Sequence, residues 1–136
     1  MKDFNTIEIH KGLKDIRFGM NESDILNLLK DEHNKETDEY GDIEISFPSL
    51  QLKFTLWKDF EYKLGYIESE RNELILLGQQ LIGSNKNKIT CFIKKDLKSH
   101  ITEINGCVHE DGDIQEWLEC DSLTFWFIND KLYQIC

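Results

Sequence analysis

Two stretches of the chain share one pattern of apolar and polar positions. Residues 16–30 read IRFGMNESDILNLLK and residues 80–94 read QLIGSNKNKITCFIK, and they align without a gap. Asn21 then falls on Asn85, an offset of 85 − 21 = 64. In each stretch apolar residues follow the Asn at steps of three and four, which predicts an amphipathic helix with that Asn as its N-cap. A fixed offset of this kind indicates one supersecondary unit used twice.

After each stretch the apolar residues alternate with polar ones, which is typical of strands that cover a core on one side. In the first half the alternation runs over Ile43 to Ser46, Leu50 to Trp57 and Leu64 to Ser69. The runs from Leu118 to Phe127 and from Lys131 to Ile135 repeat it. The sequence thus predicts a unit of one helix followed by three antiparallel strands.

The expected fold class is therefore α+β, with one antiparallel sheet and both helices on one face. We expect a single domain, residues 1–136, built of two repeats at about 13–73 and 77–136. The apolar steps continue to Ile104, so the second helix is expected to be longer and to end at Asn105-Gly106. Residues 35–42 are expected to form a polar, acidic turn.

Composition narrows the function classes. The 136 residues contain 16 Lys and Arg against 26 Asp and Glu, a formal net charge of −10. A surface this negative repels nucleic acid and anionic membrane and attracts basic proteins, so we expect no nucleic-acid or membrane partner. The N-terminal residues lack an apolar run of signal-peptide length, and no window approaches a membrane span. The expected location is cytoplasmic.

The sequence contains no catalytic or metal-binding pattern. Four cysteines lie in the second half without a C-x-x-C pair: Cys91, Cys107, Cys120 and Cys136. We interpret them as reduced thiols packed as small apolar side chains. One residue between Cys107 and His109 is a poor spacing for zinc, and Asp111-Gly112-Asp113 lacks the remaining ligands of an EF-hand. We expect neither an enzyme nor a metal or cofactor.

Alternation places all three tryptophans on the sheet face opposite the helices: Trp57, Trp117 and Trp126. Exposed aromatic residues bordered by acids are typical of protein-binding surfaces. The alternative is that a loop, the N-terminal arm or a second copy of the chain covers them, which leaves a homodimer open.

Acidic residues concentrate in two turns and in the strands that follow them: Glu39, Asp42, Glu44, Glu110, Asp111, Asp113, Glu116 and Glu119. As a functional site they would pair with Lys and Arg of a target and speed its association. The alternative is solvated loop charge. We predict that these acids and the three tryptophans form one partner-binding surface.

The two motifs FGMNESDILNLL and IGSNKNKITCFI, each followed by strands with an L-x-F or L-x-F-x-F pattern, resemble the duplicated α/β repeat of β-lactamase-inhibitor-like proteins. They are also similar to the small acidic immunity proteins encoded beside bacterial polymorphic and contact-dependent toxins. The resemblance implies an inhibitor that binds a cognate, basic, nuclease-type toxin domain with its open sheet face, through Trp57, Trp117 and Trp126. The alternative function is a small-ligand binding or sensory domain with a pocket between helices and sheet.

Overall fold

The computed structural model describes residues 3–98, 101, 103–120 and 122–136. A small hairpin, β1 (Ile7–Glu8) and β2 (Gly12–Leu13), precedes the helix α1 (Glu22–Leu28). The chain continues through β3 (Asn34–Thr37), β4 (Ile43–Phe47), β5 (Leu52–Trp57) and β6 (Lys63–Ser69). A second hairpin, β7 (Ile75–Leu76) and β8 (Gln79–Gln80), leads to α2 (Lys86–Lys95). The remaining strands are β9 (Glu103–Val108), β10 (Ile114–Cys120), β11 (Leu123–Ile128) and β12 (Lys131–Ile135).

Eight strands form one antiparallel sheet in the order β3-β4-β5-β6-β12-β11-β10-β9. Strands β3 to β6 and strands β9 to β12 are each joined by successive hairpins, so the sheet consists of two four-stranded halves. The halves meet where β6 lies beside β12, and their described pairing there is one position, Ser69 with Ile135. We call this junction the seam.

The predicted α+β fold class is wrong. The protein is mostly β, with 43% strand and 18% helix, and the described residues contain two α-helices and an eight-stranded sheet. The predicted unit of one helix and three strands is also wrong, because four strands of the sheet follow each helix.

Two segments account for this error. The predicted turn at residues 35–42 contains most of β3, an edge strand whose four residues are all exposed and polar, so it has no apolar alternation. The predicted long second helix ends at Lys95, and Lys98 has a left-handed φ of 53° that breaks the helix. Residues 103–108 then pair with β10. The residues Ser99, His100 and Thr102 of that predicted helix lie outside the described residues.

Both helices begin at the predicted caps. The Asp24 N–H donates to Asn21 Oδ1 at 2.9 Å and the Asn21 N–H donates to Asp24 Oδ2 at 3.2 Å, which forms a capping box. The Lys88 N–H donates to Asn85 Oδ1 at 2.8 Å. The N-caps predicted from sequence are therefore confirmed.

The turn before each helix is bonded to a strand at the seam. The Gly19 N–H donates to the Leu64 carbonyl at 2.9 Å, and the Gly83 N–H donates to the Leu132 carbonyl at 2.7 Å. The φ angles of Gly19 and Gly83 are 94° and 92°, a region that favours glycine. These bonds fix the start of α1 on β6 and the start of α2 on β12.

One continuous core lies between the helices and one face of the sheet. Ile25 of α1 and Ile89 of α2 belong to the same buried cluster as Phe54 of β5 and Phe125 of β11, and each of these side chains is 0% exposed. Within the described chain, neither helix has the length and apolar character needed to cross a bilayer. The cytoplasmic location stays a prediction.

Candidate functional site

The second face of the sheet carries the side chains that alternate with the core positions. In the part of the chain that the structure describes, both helices and the β1–β2 hairpin contribute to the core on the first face. We call the second face the open face. Its residues on β5, β10 and β11 are Lys53, Thr55, Trp57, Gln115, Trp117, Glu119, Thr124, Trp126 and Ile128. The structure therefore places all three predicted tryptophans on one face.

Trp117 and Trp126 form a tilted ring pair on the open face. They lie directly opposite each other on β10 and β11, with ring centroids 4.9 Å apart and an angle of 37° between the ring planes. Both side chains are half-buried, so part of each indole remains in contact with solvent. Gln134 of β12 lies opposite Trp126 and supplies a polar border. The pair is a large apolar surface of fixed geometry.

Trp57 lies apart from this pair, because β6 and β12 separate its strand from β11. Its indole packs on the backbone of Gly65, where an added Cβ would come within 2.3 Å of the ring. The side chain is 42% exposed and borders a groove with Asp42, Asp59 and Phe60. The structure thus brings two of the three predicted tryptophans together.

Lys53 is surrounded by carboxylates on the β4–β6 half of the open face. Its Nζ lies 3.2 Å from Glu44 Oε2 and 3.7 Å from Glu68 Oε2. Burial alone would lower the pKa of Lys53, but the hydrogen bond to Glu44 and the charges of Glu68 and Glu36 raise it above its usual value. Burial raises the pKa of Glu68, Lys53 opposes this, and Glu44 and Glu70 add to it. This region has more carboxylates than cations.

Tyr66 and Cys136 share a hydrogen bond near the seam. Burial raises the pKa of the Cys136 thiol to about 11; the hydrogen bond with Tyr66 lowers it, and the charge of Glu68 raises it further. Burial and the bond to Cys136 also raise the pKa of Tyr66. Both groups therefore stay protonated at neutral pH, and a protonated thiol is a poor nucleophile.

The four cysteines are all free, as predicted, but their packing differs from the prediction. Cys120 is buried and Cys136 is half-buried, whereas Cys91 and Cys107 are exposed. The prediction of thiols packed as small apolar side chains is wrong for these last two, because they occupy the outer face of α2 and the edge strand β9.

Five predicted acids lie in turns and not on the strands of the open face. They are Glu39 and Asp42 between β3 and β4, and Glu110, Asp111 and Asp113 between β9 and β10. Asp42 Oδ1 accepts from the Lys58 N–H at 2.8 Å, and Asp111 Oδ1 accepts from the Asp113 N–H at 2.9 Å. Asp113 Oδ1 accepts from Asn129 Nδ2 at 2.9 Å. Asp42, Asp111 and Asp113 therefore stabilise turns.

Glu116 lies on the face that carries α2, where its Oε2 is 2.7 Å from Lys86 Nζ. Register places it on the side opposite to its neighbour Trp117. Of the predicted acids, the structure places Glu44 and Glu119 on the open face. Glu119 is half-buried and lies opposite Thr124.

Several open-face residues were not among the predicted site residues: Lys53, Tyr66, Glu68, Gln134 and Cys136. Alternation would have assigned all five to this face, because each is a direct neighbour of Leu52, Ile67 or Ile135, which face the core.

A small apolar cavity of about 50 Å³ lies between the β1–β2 hairpin and the sheet. It is lined by Leu13, Phe18, Leu74 and Leu123 among others, and no residue of α1 or α2 contributes to it. A pocket between helices and sheet, as the ligand-binding alternative requires, is therefore not at this place. Among the described residues, no group of three or more His, Cys, Asp or Glu side chains could hold a metal ion.

No protein-family model, curated protein or solved structure matches the chain. The resemblance to inhibitor-like and immunity proteins thus rests on the sequence motifs, and the function inferred from it stays a prediction.

Proposed function

We propose that the protein is an inhibitor of the immunity type that binds and neutralises a cognate, basic toxin domain through its open face. The observation that carries the proposal is the Trp117–Trp126 pair, which is half-buried on a sheet face that no described element covers. The motif resemblance supplies the functional class.

The chemistry of the open face suits a basic protein. Half-exposed indoles lose much water-exposed area when a partner covers them, and Trp is enriched among the residues that dominate binding energy. An indole face also accepts the guanidinium of Arg. Glu44, Glu68 and Glu119 lie on the same face as the pair. A partner whose cationic side chain packs on the indoles would therefore meet carboxylates on the same surface.

The acidic charge of the whole chain supports fast association. The net charge of −10 attracts a basic domain over a distance of about one Debye length, roughly 8 Å at physiological salt. Steering of this kind raises the association rate more than the affinity. The turn acids Glu39 and Glu110, which are exposed, contribute to steering without touching the partner.

The small-ligand alternative has less support. The cavity beneath the β1–β2 hairpin measures about 50 Å³, well below the roughly 300 Å³ at which ligand pockets begin. Two grooves are larger, about 410 and 430 Å³, but neither is lined by a residue of α1 or α2, so neither lies between helices and sheet. No observation on the described residues favours it over protein binding.

The proposal predicts that a toxin domain is encoded beside the gene, and that domain is the test ligand. We expect the wild-type protein to bind that domain and protect cells that express it. The double variant Trp117→Ala/Trp126→Ala should bind at least about 30-fold more weakly, since a hot spot contributes about 2 kcal/mol or more. Binding is measured by calorimetry and protection by colony counts.

One control variant and one further test variant separate binding from folding. Tyr40→Ala removes an aromatic ring that is 76% exposed in the β3–β4 turn and should leave affinity unchanged. Glu119→Lys keeps both indoles, reverses one charge on the open face and should weaken binding. Thermal unfolding verifies that each variant is folded. Wild-type affinity and protection in both open-face variants would refute the proposal.

A further inference from the structure

The two edges of the sheet differ in chemistry. β3 presents Asn34 to Thr37, all exposed, and its Lys35 Nζ forms an ion pair with Glu22 Oε1 at 2.7 Å. In β9, the one charged residue is the first, Glu103, and residues 104–108 read INGCV and contain no charge. Natural sheets place charged side chains on edge strands because an unprotected edge pairs with another chain. β3 has this protection and residues 104–108 of β9 lack it.

The β9 edge also exposes apolar side chains. Ile104 is 61% exposed, Val108 is 70% exposed and Ile114 of β10 is 47% exposed. Register places Ile104 opposite Leu118 and Val108 opposite Ile114, so all three apolar side chains lie on the same face as the core. α2 ends at Lys95 and leaves these three residues uncovered. We call Ile104, Val108 and Ile114 the apolar strip.

Every second residue of β9 directs its backbone groups outward, away from β10. The Gly106 N–H donates to the side chain of its own neighbour, Asn105 Oδ1, at 2.8 Å. In an antiparallel ladder, successive residues direct their backbone groups to opposite sides. Because Gly106 faces away from β10, the backbone groups of Ile104 and Val108 face away from it as well.

We propose that β9 pairs antiparallel with β9 of a second copy of this chain, centred on Gly106. In this register Ile104 lies opposite Val108 of the partner subunit, and Gly106 lies opposite its own copy. The outward-facing residues then form three pairs with about two hydrogen bonds each, and at the central pair the Gly106 N–H exchanges Asn105 Oδ1 for the carbonyl of the partner strand. The contact is isologous, so the same strip is used twice and the assembly closes as a dimer.

The lack of charge on residues 104–108 favours a second copy of this chain at the edge over the basic partner proposed for the open face. A basic protein would find no carboxylate on residues 104–108. An acidic copy is repelled where like charges meet, but Glu116, which lies opposite Gly106, is neutralised by Lys86 at 2.7 Å. The two copies can therefore meet at this edge despite their net charge.

The contact is one strand long, so the dimer is expected to be weak. It falls below the interface of roughly 800 Å² per partner that stable complexes bury. We expect monomer and dimer to be in equilibrium at protein concentrations of about 5 to 500 μM, measured by sedimentation velocity. A reducing agent is included because Cys107 is exposed on the same strand.

The test uses charge on the apolar strip. Ile104→Lys and Val108→Glu are both substitutions of exposed side chains, and each variant alone should remain monomeric over the whole range. An equal mixture of the two should dimerise, because the introduced ammonium of one copy would lie opposite the introduced carboxylate of the other only in the register centred on Gly106. Thr37→Lys on β3 is the matched control and should dimerise like the wild type.

Three outcomes would overturn the proposal. The first is a wild-type protein that stays monomeric at about 500 μM, the top of the range in which a one-strand contact should associate. The second is a single variant that dimerises like the wild type. The third is a mixture of the two variants that fails to dimerise. The proposal is independent of toxin binding, since the Trp117→Ala/Trp126→Ala variant keeps the strip intact and should still dimerise.

Discussion

The two halves of the open face have similar backbones and different side chains. On the core side of the sheet, Phe54 in one half and Phe125 in the other are both 0% exposed. On the open face, Thr55 and Trp126 each precede a register shift in the ladder to the next strand. The β4–β6 half carries Lys53 with its two carboxylates, whereas the β10–β12 half carries the Trp117–Trp126 pair.

This difference separates two physical roles. Half-exposed ion pairs contribute little to stability because solvent and salt screen them. A pair of indoles in contact contributes through buried apolar area, which salt does not screen. The same type of scaffold therefore supports a charged surface that attracts a partner and an apolar surface that binds it.

The largest expected effect concerns the tryptophan half. Trp126→Ala should lower the free energy of unfolding by about 1–3 kcal/mol, the usual range for losing a half-buried side chain. A double-mutant cycle with Trp117→Ala should give a coupling energy of about 0.5–1.5 kcal/mol. Urea denaturation measures both values, and the coupling should persist in about 1 M NaCl, where charge interactions are screened. A coupling that vanishes in salt would contradict the assignment.

A smaller effect is expected in the charged half. A cycle of Lys53→Ala and Glu44→Ala should give a coupling energy of about 0.2–1 kcal/mol at low salt. In about 1 M NaCl the Debye length is roughly 3 Å, so this coupling should fall towards zero. Equal coupling energies at both salt concentrations would contradict the proposed difference between the charged half and the tryptophan half.

The smallest effect concerns the pH dependence of Glu68. Its pKa is raised above the usual value of 4.5 in the folded protein, so folding favours its protonated form. The wild type therefore loses stability as pH rises from about 4.5 through the folded-state pKa. Glu68→Gln removes this loss, so the variant should equal the wild type at about pH 3.5 and exceed it in stability at about pH 7.

Chemical denaturation across this pH range tests the prediction. A Glu70→Gln control changes a more exposed neighbour and should show a flatter difference. A variant at position 68 that is less stable than the wild type at neutral pH would show that the ion pair with Lys53 outweighs burial.

Local patterns predicted the parts of the fold that depend on local physics. The caps at Asn21 and Asn85 follow from hydrogen bonds within three residues, and the face of Trp117 and Trp126 follows from a period of two. Alternation on a strand needs no knowledge of its neighbours. These features were readable from the sequence.

The missed features depend on contacts distant in sequence. β3 is polar throughout and is a strand because β4 offers it an edge. Ile101 and Ile104 fit a helical period, but Ile104 pairs with Leu118 instead. Tertiary pairing overrides local propensity at such positions. The turn acids lie in the turns where they were predicted, but their partners were not predictable, since Asp113 is bonded to Asn129 on the far side of a hairpin.

The seam sets the cost of assembling the sheet from the unfolded chain. Every other pairing in the sheet joins strands that follow each other in sequence, whereas Ser69 and Ile135 are 135 − 69 = 66 residues apart. Loop-closure entropy grows with the logarithm of loop length, so closing this loop costs roughly 2.5 kcal/mol more than closing a four-residue hairpin. Pairings within each half of the sheet are local in sequence and one long-range closure joins the halves, so we expect that closure to be the slow step in forming the sheet.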